Sequence, residues 1–332
     1  MFIVENYGLA IVLCVITMLC WGSWANTTKL TAKTWRFELL YWDYGFGILL
    51  TTLILAFTLG SHGNEGRVFT DDIKQADTSN MISAFTGGII FNLANILLVA
   101  AIGIAGMSVA FPVGIGIALV LGVIVNYISI PEGNPLLIFS GVALIALAIV
   151  LNAKAYQKLQ TNSSEGFSKK GLIISVMSGC LMGLFYKYVA GSMVTNFNMP
   201  EAGKLTPYTA LVFFSVGVVL SSFLFNTIQM KKPFAGTALS FDDYFRGSGK
   251  DHLAGILGGA IWSIGMSLNI IASGKAGPAV SYGLGQGATV VAAIWGIYVW
   301  KEFAKAPANT KRLLNIMLLL YIAGLALIIL SK

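Results

Sequence analysis

Leu19-Cys20-Trp21-Gly22-Ser23-Trp24-Ala25-Asn26-Thr27-Thr28 closes the first long apolar stretch of this chain. A plain membrane anchor would continue with Leu and Val. Here two tryptophans, three small residues, an amide and two threonines follow instead. Helix-breaking and hydrogen-bonding residues at membrane depth are tolerated only where they pack on protein or face a water-filled cavity. The segment therefore reads as the lining of a path through a bilayer.

The rest of the chain agrees with that environment. Hydrophobic residues make up 56% and charged residues 11% of the 332, and the mean hydropathy is +0.79, far from the soluble average. The natural unit is a helical span of about 20 residues. Ten candidates follow, at 6–29, 36–60, 80–103, 107–128, 135–154, 170–192, 206–229, 252–273, 279–300 and 312–331. The fold class expected is an all-α integral membrane protein with ten transmembrane helices. The longest loops, 61–79 and 231–251, are too short for an enzymatic domain. The first span carries Glu5 and no basic residue before it, so it lacks the n-region of a signal peptide and reads as a retained helix.

A net charge of +7 does not imply nucleic acid here, because basic residues in a membrane protein report orientation. With alternating loops, fifteen of the 21 Lys and Arg residues fall on one side, among them Lys29, Lys33, Arg36, Lys154, Lys158, Lys169, Lys305 and Arg312. The positive-inside rule makes that side cytoplasmic and puts both termini outside. Cys14, Cys20 and Cys180 lie inside apolar spans, so no disulfide framework is implied.

Shifting residues 87–116 by 171 positions onto 258–287 gives 11 identities in 30 without a gap, and also pairs Phe91 with Trp262 and Phe111 with Tyr282. A fainter match sets Gly22, Trp24 and Asn26 on Gly183, Phe185 and Lys187. The unit is five helices, an odd number, so the second copy enters the membrane inverted. The domains expected are a first repeat over 1–154, a polar link over 155–169 and a second, inverted repeat over 170–332. Inverted repeats place a solute site near the midplane between the halves and allow alternating access. The run Gly283-Leu284-Gly285-Gln286-Gly287 lacks the strand and helix context of a nucleotide loop and reads as close helix contact or a local break.

Polar residues inside spans are the site candidates. Glu38 and Asp43 lie in the second span, which holds the only acidic residues of any predicted span after Glu5. Either can be a structural ion pair or the proton-coupling group, since a carboxylate whose hydration changes between states binds and releases protons. Lys187 in the sixth span can snorkel to the interface or serve as a solute or gate residue. Trp24, Asn26, Asn92, Asn95, Trp262, Tyr282 and Gln286 complete the solute-binding set. Aromatic faces with amides suit a small neutral hydrogen-bonding solute such as a sugar, nucleobase or ureide. An intramembrane enzyme would need a nucleophile and base, or a metal cluster, at depth. His62 and His252 lie at or near loops and no such spacing occurs, so no enzyme, cofactor or metal is expected.

Cys20-Trp21-Gly22-Ser23-Trp24-Ala25-Asn26-Thr27 with Lys29, followed by Arg36-Phe37-Glu38-Leu39 and Tyr41-Trp42-Asp43-Tyr44, resembles the ureide permease family. That family groups with the glucose/ribose porters in the drug/metabolite transporter superfamily. The resemblance implies a proton-coupled uptake permease for ureides, nucleobases or related solutes, with Trp24, Asn26, Glu38 and Asp43 in its functional region. An exporter of metabolites or drugs from the same superfamily is the alternative. Plant members have a long central cytosolic loop with a nucleotide-binding-like sequence. The link here is short and lacks G-x-x-x-x-G-K-[ST], which points to a prokaryotic inner-membrane member. The expected partners are the solute and the bilayer, with no nucleic acid, in a monomer or homodimer.

Overall fold

The computed structural model describes residues 1–63, 65–105, 107–159, 168–234, 236–301, 304 and 306–332. Residues 160–167 of the link, Gly106, Lys305 and the Phe111 side chain lie outside the described set. The chain is an all-α, multi-spanning membrane protein. Its long helices are α1 (Tyr7–Ser23), α2 (Phe37–Phe57), α3 (Thr78–Ala105), α4 (Met107–Ser129), α5 (Pro135–Leu159), α6 (Lys169–Ser192), α7 (Pro207–Lys231), α8 (Gly249–Ala276), α9 (Pro278–Val299) and α10 (Ala308–Ile329). Among the described residues nine are long and apolar enough to cross a membrane; the described apolar part of α4, Val113–Ser129, is shorter. Their outer faces carry Val12, Leu50, Ile54, Leu220, Phe223 and Leu319, all exposed, as a hydrocarbon solvent requires.

Local chemistry sets the ends. Asn6 caps α1 by accepting from the Leu9 amide, and Ser168 caps α6 through the Gly171 amide. Ser248 and Asp251 form a capping box that starts α8, satisfying amides that a helix start leaves open. Gly277, at φ 82°, turns the chain directly from α8 into α9, with Pro278 at the first position; a side chain there would be strained. Two helices depart from regular geometry. The chain after α1 continues as a 3-10 helix, Trp24–Leu30. α9 breaks at Gln286 and Gly287, resumes at Ala288 and ends in a π-helical turn, Trp295–Val299. Such departures recur at functional sites.

Packing between the halves has a mirrored pattern. α1 lies against α8 and α9, while α6 lies against α3 and α4; α2 lies against α8, while α7 lies against α3. The glycines repeat it atom for atom. A Cβ on Gly88 would sit 2.0 Å from the Phe214 carbonyl oxygen, and one on Gly259 would sit 2.0 Å from that of Tyr44. Gly47 stands 2.2 Å by the same measure from Ile256 O, and Gly217 stands 2.2 Å from Phe85 O. Phe91 and Trp262, which the 171-residue shift superposes, pack against each other with centroids 4.4 Å apart and ring planes tilted by 31°.

Candidate functional site

A cavity of about 300 Å³ lies among α1, α2, α3, α4, α6, α8 and α9. It runs from the middle of the bundle, at Trp262 and Phe185, to the end that bears Lys29 and Arg36, where Thr28 and Phe37 line it. The irregular ends of α1 and α9 shape it. Trp21, Trp24, Ala25 and Thr28 come from the first, and Gln286, Ala288, Thr289 and Ala292 from the second. The wall holds six indole or phenyl groups, two amides, Asn95 and Gln286, and two threonines. Among the described residues no charged side chain lines it. The aromatic wall is braced: Trp21 and Trp262 stack at 5.9 Å and 12°, and Trp21 Nε1 donates to the Trp262 carbonyl at 3.2 Å. Asn95 Nδ2 donates to the Tyr41 hydroxyl at 3.2 Å.

Of the sequence candidates, Trp24, Asn95, Trp262 and Gln286 line this cavity. The other four do not. Asn26 accepts from Trp300 Nε1 at 2.8 Å and donates to Ser23 O, so it ties the end of α1 to the end of α9. Asn92 is fully buried between the Tyr41 hydroxyl and Ser221 and Ser222, a clamp joining α2, α3 and α7. Tyr282 is buried, its hydroxyl donating to the carbonyls of Ala118 and Met182 at 3.1 and 3.0 Å. Lys187 lines a different pocket, of about 510 Å³, at the opposite end of the bundle.

The two acidic candidates also lie off the cavity wall. Glu38 is ion-paired with Arg36 at the helix start. Asp43 is 3% exposed and sits at a three-element junction. Its Oδ1 accepts from Tyr244 Oη at 2.7 Å and its Oδ2 meets His252 Nδ1 at 2.9 Å. Tyr244 comes from the short helix Phe241–Phe245 in the loop before α8. Burial and the Asp43 carboxylate beside it push the Tyr244 phenol above its ordinary range, so it stays protonated and donates. Trp35 edges onto the His252 ring at 5.1 Å, and a Cβ on Gly255 would come 2.5 Å from that of Asp43, which lets α2 and α8 close on the carboxylate.

One sequence expectation needs correction. His252, expected at or near a loop, lies in the first turn of α8 and partners Asp43. Asp251 in the same turn means that α2 does not hold the only acidic residues of the long helices after Glu5, because α8 starts three residues earlier than expected. The Ser248-Gly249-Lys250-Asp251 capping signature carried that information. Trp21, Thr28, Phe37 and Thr289 were missed because neither their type nor their spacing separates cavity wall from helix contact. Among the described residues no three His, Cys, Asp or Glu side chains gather as metal ligands.

Comparison with known proteins completes the picture. The sequence model of the ureide permease family matches residues 40–170 and 168–331. Ureide permease 1 of Arabidopsis thaliana is 26% identical over 393 positions, covering all of this chain and 99% of its own length. Ureide permease 4 of the same plant is 23% identical over 400 positions with the same coverage. A solved crystal structure at 15% identity superposes over 98% of this chain and 99% of its own, with a TM-score of 0.60, which shows a shared fold. The chain belongs to the ureide permease family of membrane transporters.

Proposed function

We propose that this protein is a secondary carrier for a small neutral solute rich in hydrogen-bonding groups, of the ureide, nucleobase or sugar class. The carrying observation is the cavity: aromatic faces, two amides and two threonines, with no charge among its described lining residues. An ionic solute would leave its charge unpaired there, at a cost of several kcal/mol. A neutral ring with amide or hydroxyl edges finds stacking faces and hydrogen-bond partners together. Relatives named ureide permeases over the full length of the chain support the first class.

The cycle proposed is alternating access between two inverted five-helix halves, 1–154 and 170–332, joined by the 155–169 link. The mirrored helix contacts and glycine approaches support that reading. The contact of Phe91 with Trp262, positions the 171-residue shift relates, supports a rocking axis near that pair. The distribution of basic residues supports outward termini and a cavity open to the cytoplasm, and the short link supports a plasma membrane of bacterial type.

Asp43 is proposed as the proton-coupling group. Its ionised carboxylate holds α2, α8 and the Tyr244 segment together through two hydrogen bonds, one of them an ion pair when His252 is protonated. Asp251, next to His252 in the chain, has its own carboxylate taken up by Ser248 and the Ala32 amide. Taking up a proton removes the charge on Asp43, weakens its hold on His252 and frees the cytoplasmic ends of α2 and α8 to part. Glu38, already paired with Arg36, is the weaker candidate.

Purified protein screened by thermal shift against ureides, nucleobases, nucleosides and sugars tests the reading, since a ligand bound to the native state raises apparent stability. The best stabiliser should then be taken up saturably by proteoliposomes, faster with an inward proton gradient. Stabilisation by charged solutes alone would refute the neutral-solute reading.

A further inference from the structure

We infer that the pocket of about 510 Å³ at the end of the bundle away from Lys29 is the outer vestibule of the same transport path, a second station for a polar solute, and that Tyr282 is the barrier dividing it from the central cavity. The inference rests on the carrier reading above.

Three helices carry the argument, because each passes from vestibule to barrier to cavity along its own length. On α9, Pro278 lines the vestibule and Gln286 lines the cavity, with Tyr282 one turn from each. At 1.5 Å per residue the two linings are about 12 Å apart along that helix. On α4, Asn126 and Ser129 line the vestibule and Ile115 lines the cavity; between them lie Ala118 and Gly122. On α6, Lys187 lines the vestibule and Met182 lines the cavity. The ring between these levels belongs to Tyr282. Its hydroxyl bridges the other two helices by donating to Ala118 O and Met182 O. A Cβ on Gly122 would come 2.2 Å from the ring, so the glycine makes the groove in which the ring lies. Tyr186 packs edge-on against it at 5.3 Å. The Tyr282 side chain, hydrogen-bonded to backbone of two helices and packed against the buried Tyr186, thus lies between two pockets stacked on common helices.

The vestibule wall suits the same solute. Thr195 donates its hydroxyl and its amide to Glu201, which holds that carboxyl below the usual carboxylate range, and Lys204 Nζ is turned onto Gly191 O at 2.7 Å. Asn126, Ser129 and Lys187 add amide, hydroxyl and amine groups. A hydrogen-bonding solute can be captured here before Tyr282 swings aside.

The test needs no solute. In a background with Cys14→Ala, Cys20→Ala and Cys180→Ala, single cysteines are placed at Ser129 (vestibule) and Ala288 (cavity) and exposed to a membrane-impermeant maleimide from either side. Ser129→Cys should label from the outer face and Ala288→Cys from the basic face only. Adding Tyr282→Ala should raise outer-face labelling of Ala288→Cys at least tenfold. Tyr282→Phe keeps the ring and loses both hydrogen bonds, so it should give a smaller rise, about threefold, and it serves if the alanine variant does not fold. Ser129→Cys and Ala288→Cys labelling from the same face, or no rise with either Tyr282 variant, overturns the inference. The expected labelling without uptake of any screened solute would instead refute the solute reading and leave the vestibule standing.

Discussion

Replacing Gly259 with alanine puts a methyl group where there is no room for one. The added Cβ would lie 2.0 Å from Tyr44 O, against about 3.4 Å for ordinary contact, a shortfall of about 1.4 Å. The obstacle is helical backbone, so no side-chain rotation relieves it and α8 must back away from α2. Gly47 on the same interface stands equally close to Ile256 O, so its contacts open too. A radial gap of 0.5–1 Å forfeits roughly a quarter to a half of a dispersion contact, and overpacking of this kind costs about 1–3 kcal/mol. Alanine's better helix propensity returns about 0.8–1 kcal/mol. From the middle of that overpacking range, with the opened Gly47 contacts added, the net expectation is a loss of about 1–2 kcal/mol, or a fall in melting temperature of roughly 2–6 °C. Thermal unfolding in detergent, followed by tryptophan fluorescence, measures it. Gly88→Ala meets Phe214 O at the same distance and should fall equally. Gly116→Ala, whose Cβ would meet nothing within 4 Å, should not fall at all. Wild-type melting in both Gly88 and Gly259 variants would refute the close approach, and a drop in only one would refute the mirrored construction of the halves.

Asp43→Asn mimics the protonated carboxyl, so it should abolish accumulation against a gradient while leaving solute exchange; His252→Gln should shift the pH dependence of uptake, and proton-stimulated uptake surviving in Asp43→Asn would sink the coupling assignment. Asn95→Ala and Gln286→Ala each remove a hydrogen-bonding wall group worth about 0.5–1.5 kcal/mol, so KM should rise roughly 2- to 12-fold with normal expression, as uptake kinetics would show. At the other end of the bundle, Asp72 is fully buried and accepts from Arg67 and from the amide and hydroxyl of Thr206. Asp72→Ala should cost about 3–5 kcal/mol by stranding those donors, whereas Lys74→Ala, breaking only the exposed pair with Asp71, should change the melting temperature little.

The positions of the long helices were legible because a bilayer demands continuous apolar spans, and nine of the ten expected ranges hold, among the described residues, a helix long and apolar enough to cross one. The 171-residue shift was visible because it pairs glycines: at Gly88 and Gly259 a side chain would meet helical backbone, and at Gly87 and Gly258 it would first meet neighbouring side chains. The cavity wall was half legible. Trp24, Asn95, Trp262 and Gln286 were found by chemistry, but Asn92 and Tyr282 have the same chemistry and spend it on neighbouring helices. Asn26 likewise ties α1 to α9. Side-chain type tells that a polar group needs a partner and not whether the partner is protein or solute. The Asp43–His252 pair spans 209 positions, and no local pattern encodes a contact of that range.

The reciprocal glycines also bear on how such a chain could arise. Gly88 receives α7 from the second half, and Gly259 receives α2 from the first. Each half therefore offers the surface that it also requires. On the inverted arrangement proposed here, a polypeptide of only the first five helices would find its complement in another copy of itself inserted the opposite way up. Gene fusion then does no more than fix one copy in each orientation, after which the two are free to specialise. On that arrangement Asp43 in one half and Lys187 in the other would be products of that freedom, chemistry that diverged at the two ends of a twofold scaffold.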